Sequence, residues 1–185
     1  MSYRHDLIIG IDPGTKGGIA WFFPMARLGE SIPATRHARK MSNMALGEIA
    51  ELLSSLKRKA SNPICYLENP KGIPYVGKLP PELAMKRLMM LASSYGKLQR
   101  RVGHIEGILA GLEIPVELVS PQKWMKKLDC ETGGDKKITR EKAWRLYPQL
   151  KPTHDTADAI LIMHYGSLES YSSGAKSKPA KRVKR

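Results

Sequence analysis

Four acidic residues stand where apolar or capping residues are expected. Asp12 closes an apolar run, Leu7 to Ile11, and precedes a Pro13–Gly14 turn. Glu68 closes a second run, Ile64 to Leu67, and YLEN offers it no local capping role. Asp155 and Asp158 open the last helical segment as HDTAD, a spacing that puts both on one face of a first helical turn. Singly, Asp12 reads as a turn aspartate and Asp155 as an N-cap. A carboxylate at the end of a buried strand is costly unless something ionic compensates it, and four together repel without cations. The set therefore suits a two-metal phosphodiester site, in which oxygen ligands hold two ions ~4 Å apart. His154 is an additional ligand or proton carrier. His164, two turns further on, reads as a packed or partly exposed histidine.

These side chains need strands that end at one edge and a helix that starts there. Asp6 to Ile11 and Gly18 to Phe23 read as a β-hairpin around the Pro13–Gly18 turn, where Thr15 and Lys16 are polar. Ser31 to Arg39 is a third strand. Met44 to Lys59 has helical apolar spacing, with Asn43 as N-cap. Ile64 to Leu67 is a central strand. Asn69 to Pro81 is rich in Pro and Gly, in the position of an active-site loop. A long helix runs from Glu82 to about Gly111. Its Gly103, Gly107 and Gly111 recur every four residues, which suits packing on the sheet or, alternatively, a helix–helix dimer seam. Ile114 to Val119 is a strand, and Gln122 to Leu128 is a short helix with Lys123, Lys126 and Lys127. Lys136 to Leu146 is a basic helix, and the last helix covers Asp155 to Leu168. The expected class is α/β, a mixed central sheet of about five strands flanked by helices. One domain over residues 1–171 precedes a basic, disordered tail over 172–185.

The chain of 185 residues carries 31 Lys and Arg against 17 Asp and Glu, a net charge of +14. Its final stretch, Gly174 to Arg185, has six basic residues and no acid, and the first 173 residues still carry +8 without it. A basic body points to a polyanion, most simply nucleic acid. No apolar run approaches the ~20 residues of a membrane span. MSYRHD is not a signal peptide, and Cys65 and Cys130 form no CxxC pair, so an intracellular, cytoplasmic protein with reduced thiols is expected.

GIDPGTKGGIAW (Gly10–Trp21), YLENP (Tyr66–Pro70), VSPQKW (Val119–Trp124) and HDTADAILIMHYG (His154–Gly166) together resemble the RuvC-like Holliday junction resolvases of the RNase H superfamily. Their order and spacing span about 160 residues, and the SPQKW element and the Asn69–Pro81 insertion look more like phage and plant chloroplast resolvases than typical bacterial ones. The resemblance implies an RNase H-like fold, a homodimer, and magnesium-dependent paired nicking of four-way junctions. Manganese would substitute, and two ions would serve each site. Carried over by position, Asp12, Glu68, Asp155 and Asp158 would be the catalytic metal ligands, with His154 sharing the role of Asp155. Lys126 and Lys136 fall near the family's DNA-contacting or catalytic-support lysines. Lys123, Lys127 and Lys137 are their neighbours, and Lys16 and Lys71 are further DNA-contact candidates. Bacterial relatives carry an aromatic wedge soon after the strand glutamate. Here Asn69–Pro70–Lys71 takes that place, leaving Ile73 and Tyr75 as junction-opening candidates.

Three other functions compete. A nuclease of the same fold would cut flaps, forks or RNA–DNA hybrids. A sugar-kinase or actin-like ATPase would need a second phosphate hairpin and about twice the length. A DNA-binding module without activity would make the carboxylates accidental.

Overall fold

The computed structural model describes residues 2–24, 35–42, 44–70, 80–133 and 135–172. The elements are β1 (Ser2–Tyr3), β2 (Leu7–Ile11), β3 (Gly18–Phe23), β4 (Thr35–Lys40), α1 (Leu46–Lys57), β5 (Pro63–Glu68), α2 (Pro81–Gly111), β6 (Val116–Val119), α3 (Pro121–Lys127), α4 (Lys136–Leu146), a 3-10 turn (Pro148–Leu150), α5 (Ala157–Ser170) and β7 (Tyr171–Ser172). Five strands form one mixed sheet in the order β4-β3-β2-β5-β6, while β1 and β7 pair separately. Strands β4, β3 and β2 run antiparallel; β5 and β6 lie parallel to β2 and β5.

Strand β2 is buried at every position, which is why it reads as an uninterrupted apolar run rather than an alternating one. Its odd and even residues serve two different cores. Leu7, Ile9 and Ile11 join Ile19, Cys65 and Leu67 under α1 and α2. Ile8 joins Phe22, Tyr66, Val119 and Trp124 under α3, α4 and α5. Parallel pairing aligns Ile11 with Leu67, so Asp12 and Glu68 leave adjacent strands at the same end. Asp12 keeps the hairpin register one step further, its N–H donating to Gly18 O at 3.1 Å.

The expected elements are present among the described residues, and the structure corrects several details. The third strand begins at Thr35, and residues 31–34 of its expected span lie outside the described set. Helix α1 is capped at Ala45, whose N–H donates to Glu48 Oε2 at 2.7 Å; Asn43 lies outside the described residues. The last helix begins two residues later than expected, at Ala157, so Asp155 precedes it and does not share its first turn with Asp158. The sheet-facing residues of α2 are Val102, Ile105 and Leu109. A Cβ built on Gly103, Gly107 or Gly111 meets nothing within 4 Å, so those glycines do not pack on the sheet. Residues 173–185 lie outside the described set, as do Lys71, Ile73 and Tyr75. No helix among the described residues is long and apolar enough to cross a membrane.

Candidate active site

The site is built where β2 and β5 end and α5 begins. Helix α5 crosses β2 in direct backbone contact. A Cβ on Gly10 would lie 2.6 Å from Ala159 O and would also collide with the Met163 backbone. Only glycine admits this approach, and it brings the first turn of α5, with Asp158, onto the strand that ends in Asp12. Asp12 is fixed from its own turn, its Oδ1 accepting from Gly14 N–H at 2.8 Å. Glu68 is fixed from α3, its Oε1 accepting from the indole Nε1–H of Trp124 at 2.9 Å. Trp124 is fully buried. A buried indole requires an acceptor, and here the acceptor is the strand-end carboxylate.

The electrostatics separate this group from ordinary surface acids. Burial pushes Asp12 above the usual carboxylate range; the Gly14 N–H opposes that rise, Asp158 adds like-charge repulsion, and Lys136 and Arg101 draw it back. Burial likewise pushes Glu68 to about 8, with repulsion from Asp12, relief from the Trp124 N–H, a further push from Asp158 and relief from Lys136. The Oδ1 atom of Asp158 is buried without a hydrogen-bond partner. The structure therefore gathers Asp12, Glu68 and Asp158, with Lys136 from α4 and Arg101 from α2 as facing cations.

The other sequence candidates are placed differently. Asp155 forms an ion pair with Lys40 at 3.0 Å, and its backbone lies against Gly18 of β3. His154 is exposed, and its Nε2 lies 3.2 Å from Arg140 Nη1. His164 is half-buried, with Nδ1 2.6 Å from the Tyr147 hydroxyl, and burial holds its pKa below the ordinary histidine value. Lys123 pairs with Glu117 at 3.0 Å, Lys127 pairs with Glu169, and both ammonium groups lie over the Tyr165 ring. Lys16, Lys126, Lys136 and Lys137 are exposed. Sequence reasoning missed Trp124, Arg101 and Lys40 as neighbours of the acids. For Trp124 a signal existed, since a tryptophan inside a short basic helix is out of place unless it is buried. For the two cations, spacing along the chain carries no signal.

Asp12 and Glu68, raised in pKa, beside an orphaned oxygen of Asp158, suit hard divalent cations. As the side chains stand, no three His, Cys, Asp or Glu among the described residues converge closely enough to hold a metal ion.

No protein-family model and no curated protein matches the sequence. The solved structures do match. Thermus thermophilus RuvC in complex with a Holliday junction substrate aligns over 87% of this chain and 92% of its own, with 16% identity and a TM-score of 0.51. The fold is RuvC-like. A second Thermus thermophilus RuvC structure aligns over 86% of this chain and 92% of its own, with 15% identity and a TM-score of 0.47. The mixed five-stranded sheet with helices on both faces is the RNase H-like arrangement of that RuvC-like fold.

Proposed function

We propose that the protein is a crossover junction endodeoxyribonuclease: a homodimer that resolves four-way DNA junctions in recombination and repair by paired symmetric nicks. The observation that carries this reading is the mutually repelling trio Asp12, Glu68 and Asp158, the first buried and the others partly so, at the sheet end of a RuvC-like fold and faced by cations. Asp12, Glu68 and Asp158 would hold magnesium or manganese, two ions per site. Asp155 would join them on release from Lys40, with His154 as its neighbour. When bound, the ions would supply Lewis acidity to generate the attacking hydroxide and neutralise the leaving oxygen. Binding would draw these side chains closer than they now stand and would offset the burial and mutual repulsion that raise Asp12 and Glu68.

The chain's own groups do the rest. Gly14 N–H and Trp124 Nε1–H hold two carboxylates in place before substrate arrives, so little reorganisation remains for the reacting state. Lys136 faces both acids and is placed to neutralise the phosphate that lies against them. Lys126 and Lys137 on neighbouring helices would extend that basic surface, as would Lys16, which makes affinity salt-dependent; Lys71, outside the described residues, is a further DNA-contact candidate. The charges of Lys123 and Lys127 are shared with Glu117 and Glu169, so they contribute less. Ile73 and Tyr75 follow the β5 end and are the junction-opening candidates. The products would carry a 5′-phosphate and a 3′-hydroxyl. The basic tail over residues 172–185 would add non-specific phosphate contacts. The buried thiols of Cys65 and Cys130 suit an intracellular, cytoplasmic setting.

Helix α2 supplies support for the dimer. Met85, Met89, Gly96, Gly103 and Gly107 succeed one another four or seven residues apart, so they share one stripe on the face away from Val102, Ile105 and Leu109. Met85 and Met89 are 59% and 67% exposed, and the glycines have nothing near them. An exposed helical glycine costs ~1 kcal/mol relative to alanine, and close approach of a second helix offsets that cost.

The test is incubation with a mobile four-way junction in magnesium. Symmetric nicked duplexes that disappear with Asp12→Asn or Asp158→Asn are expected. Binding without cleavage in both magnesium and manganese overturns the nuclease reading. Equal cutting of forks and RNA–DNA hybrids by a monomer replaces it with a less selective RNase H-like nuclease.

A further inference from the structure

The lysines singled out from sequence lie mainly on α3 and α4, one side of the carboxylates. The opposite side also carries cations. A cleft of about 280 Å³ opens between the β2–β3 turn and the middle of α2, lined by Pro13, Thr15, Ser94, Lys97, Leu98 and Arg101. A second groove of about 420 Å³ continues from it along α2, sharing Lys97 and Arg101 and adding Arg100 and His104. Pro13 is the residue after Asp12, so the first cleft begins beside the acid.

Arg101 is the informative residue. One guanidinium nitrogen, Nη2, donates to Met41 O at 3.2 Å, which fixes the head group. Its Nε is buried without a partner. Its charge reaches Asp12, yet no salt bridge joins it to a described acid. An anchored guanidinium with no ion-pair partner among the described residues offers its remaining outward N–H donors to an oxyanion. Lys97, one helical turn earlier and exposed, supplies a second, mobile charge at the same opening. Thr15, from the β2–β3 turn, lines the same cleft.

We propose that this cleft binds a DNA backbone phosphate flanking the one to be cut, with Arg101 and Lys97 as its two cationic ligands. Resting on the nuclease reading, this sends the cut strand across Asp12 between two basic walls, Lys136 of α4 on one side and Lys97 with Arg101 of α2 on the other. The Arg100–His104 groove then receives the next phosphates of the same strand.

The test is full-length protein binding to a four-way junction, followed by fluorescence anisotropy in calcium over a range of salt. Lys97→Ala is expected to weaken binding about fivefold to tenfold and to lower the slope of log K against log salt by about 1. Arg101→Gln should lose more, and Lys59→Ala, outside both grooves, should change little. A methylphosphonate placed at successive positions of the cut strand should reproduce the loss at one position in the wild type and add nothing there in Lys97→Ala. Equal affinity and slope for Lys97→Ala and Lys59→Ala, or no position at which the two losses overlap, overturns the proposal. Absence of DNA binding by the wild type overturns it as well. Binding with a Lys97-dependent slope but no nicks in magnesium or manganese overturns the nuclease reading and leaves the cleft as a DNA-phosphate site.

Discussion

Helices α5 and α2 differ in how glycine serves them: among the described residues, only at α5 does a neighbour pack through glycine. Along α5, Ala159, Ile160, Leu161, Ile162, Met163 and Tyr165 are buried. Gly166 admits the Tyr66 ring, with Cε2 2.6 Å from where a Cβ would stand, and Gly10 of β2 admits the helix backbone itself. Along α2 only Val102, Ile105 and Leu109 are fully covered, while Leu83, Met85, Leu88, Met89 and Met90 are exposed. The contrast shows what glycine spacing means in each setting. Under α5 it permits an intramolecular approach that delivers Asp158 to Asp12. On α2 it leaves a smooth face with nothing within 4 Å of where the Cβ atoms would stand.

The largest test of this contrast is Gly10→Ala. The added methyl has only backbone in front of it, so α5 must lift from the sheet; a loss of more than ~3 kcal/mol in chemical unfolding is expected, with cleavage lost too. An unchanged midpoint would mean that α5 is not held as described. Asp158→Asn separates position from chemistry. It should leave the fold intact, with a midpoint no lower than wild type in the absence of metal, while cutting activity by about a thousandfold.

The pH dependence of stability comes next. The folded state keeps a proton on Glu68 up to about 8, whereas an unfolded glutamate loses it near 4.5. Stability is therefore full below about pH 4.5 and falls as pH rises toward 8, by at most ~1.4 kcal/mol per unit for this group. Asp12, raised by burial as well, acts in the same direction. Magnesium should raise the thermal midpoint more at pH 8 than at pH 5, and Asp12→Asn should flatten that difference. A flat pH profile without metal would contradict the burial of these acids. Trp124→Phe should extend the fall above pH 8 and cost ~1–3 kcal/mol, because the Glu68 oxygen loses its donor.

The smallest effects belong to α2. Gly103→Ala and Gly107→Ala should each stabilise an isolated protomer by ~0.5–1 kcal/mol. Sedimentation should show a weaker dimer for the same variants. A dimer unaffected by Gly107→Leu would remove this face from the interface.

Much of the scaffold was legible in the sequence because buried strands and amphipathic helices have distinct periods. Strand β3 and helix α4 lie at their expected boundaries. Asp12 and Glu68 were legible as acids ending apolar runs. Asp155 was misread as a partner of Asp158 in one helical turn, since HDTAD fits a first turn and nothing local reveals that the helix starts at Ala157. Its pairing with Lys40 of β4 depends on two segments more than a hundred residues apart.

By itself, the sequence determined the apolar run of β2, the acids at the strand ends, and the basic balance of the chain. These follow from local sterics and transfer free energies, which act residue by residue. Only the tertiary structure decided which polar and charged groups face one another: the Trp124 indole N–H on Glu68, Arg101 and Lys136 on Asp12, and Asp155 withdrawn onto Lys40. Such pairings depend on the register of parallel strands and on the Gly10 crossing, and Coulomb forces act through space rather than along the chain.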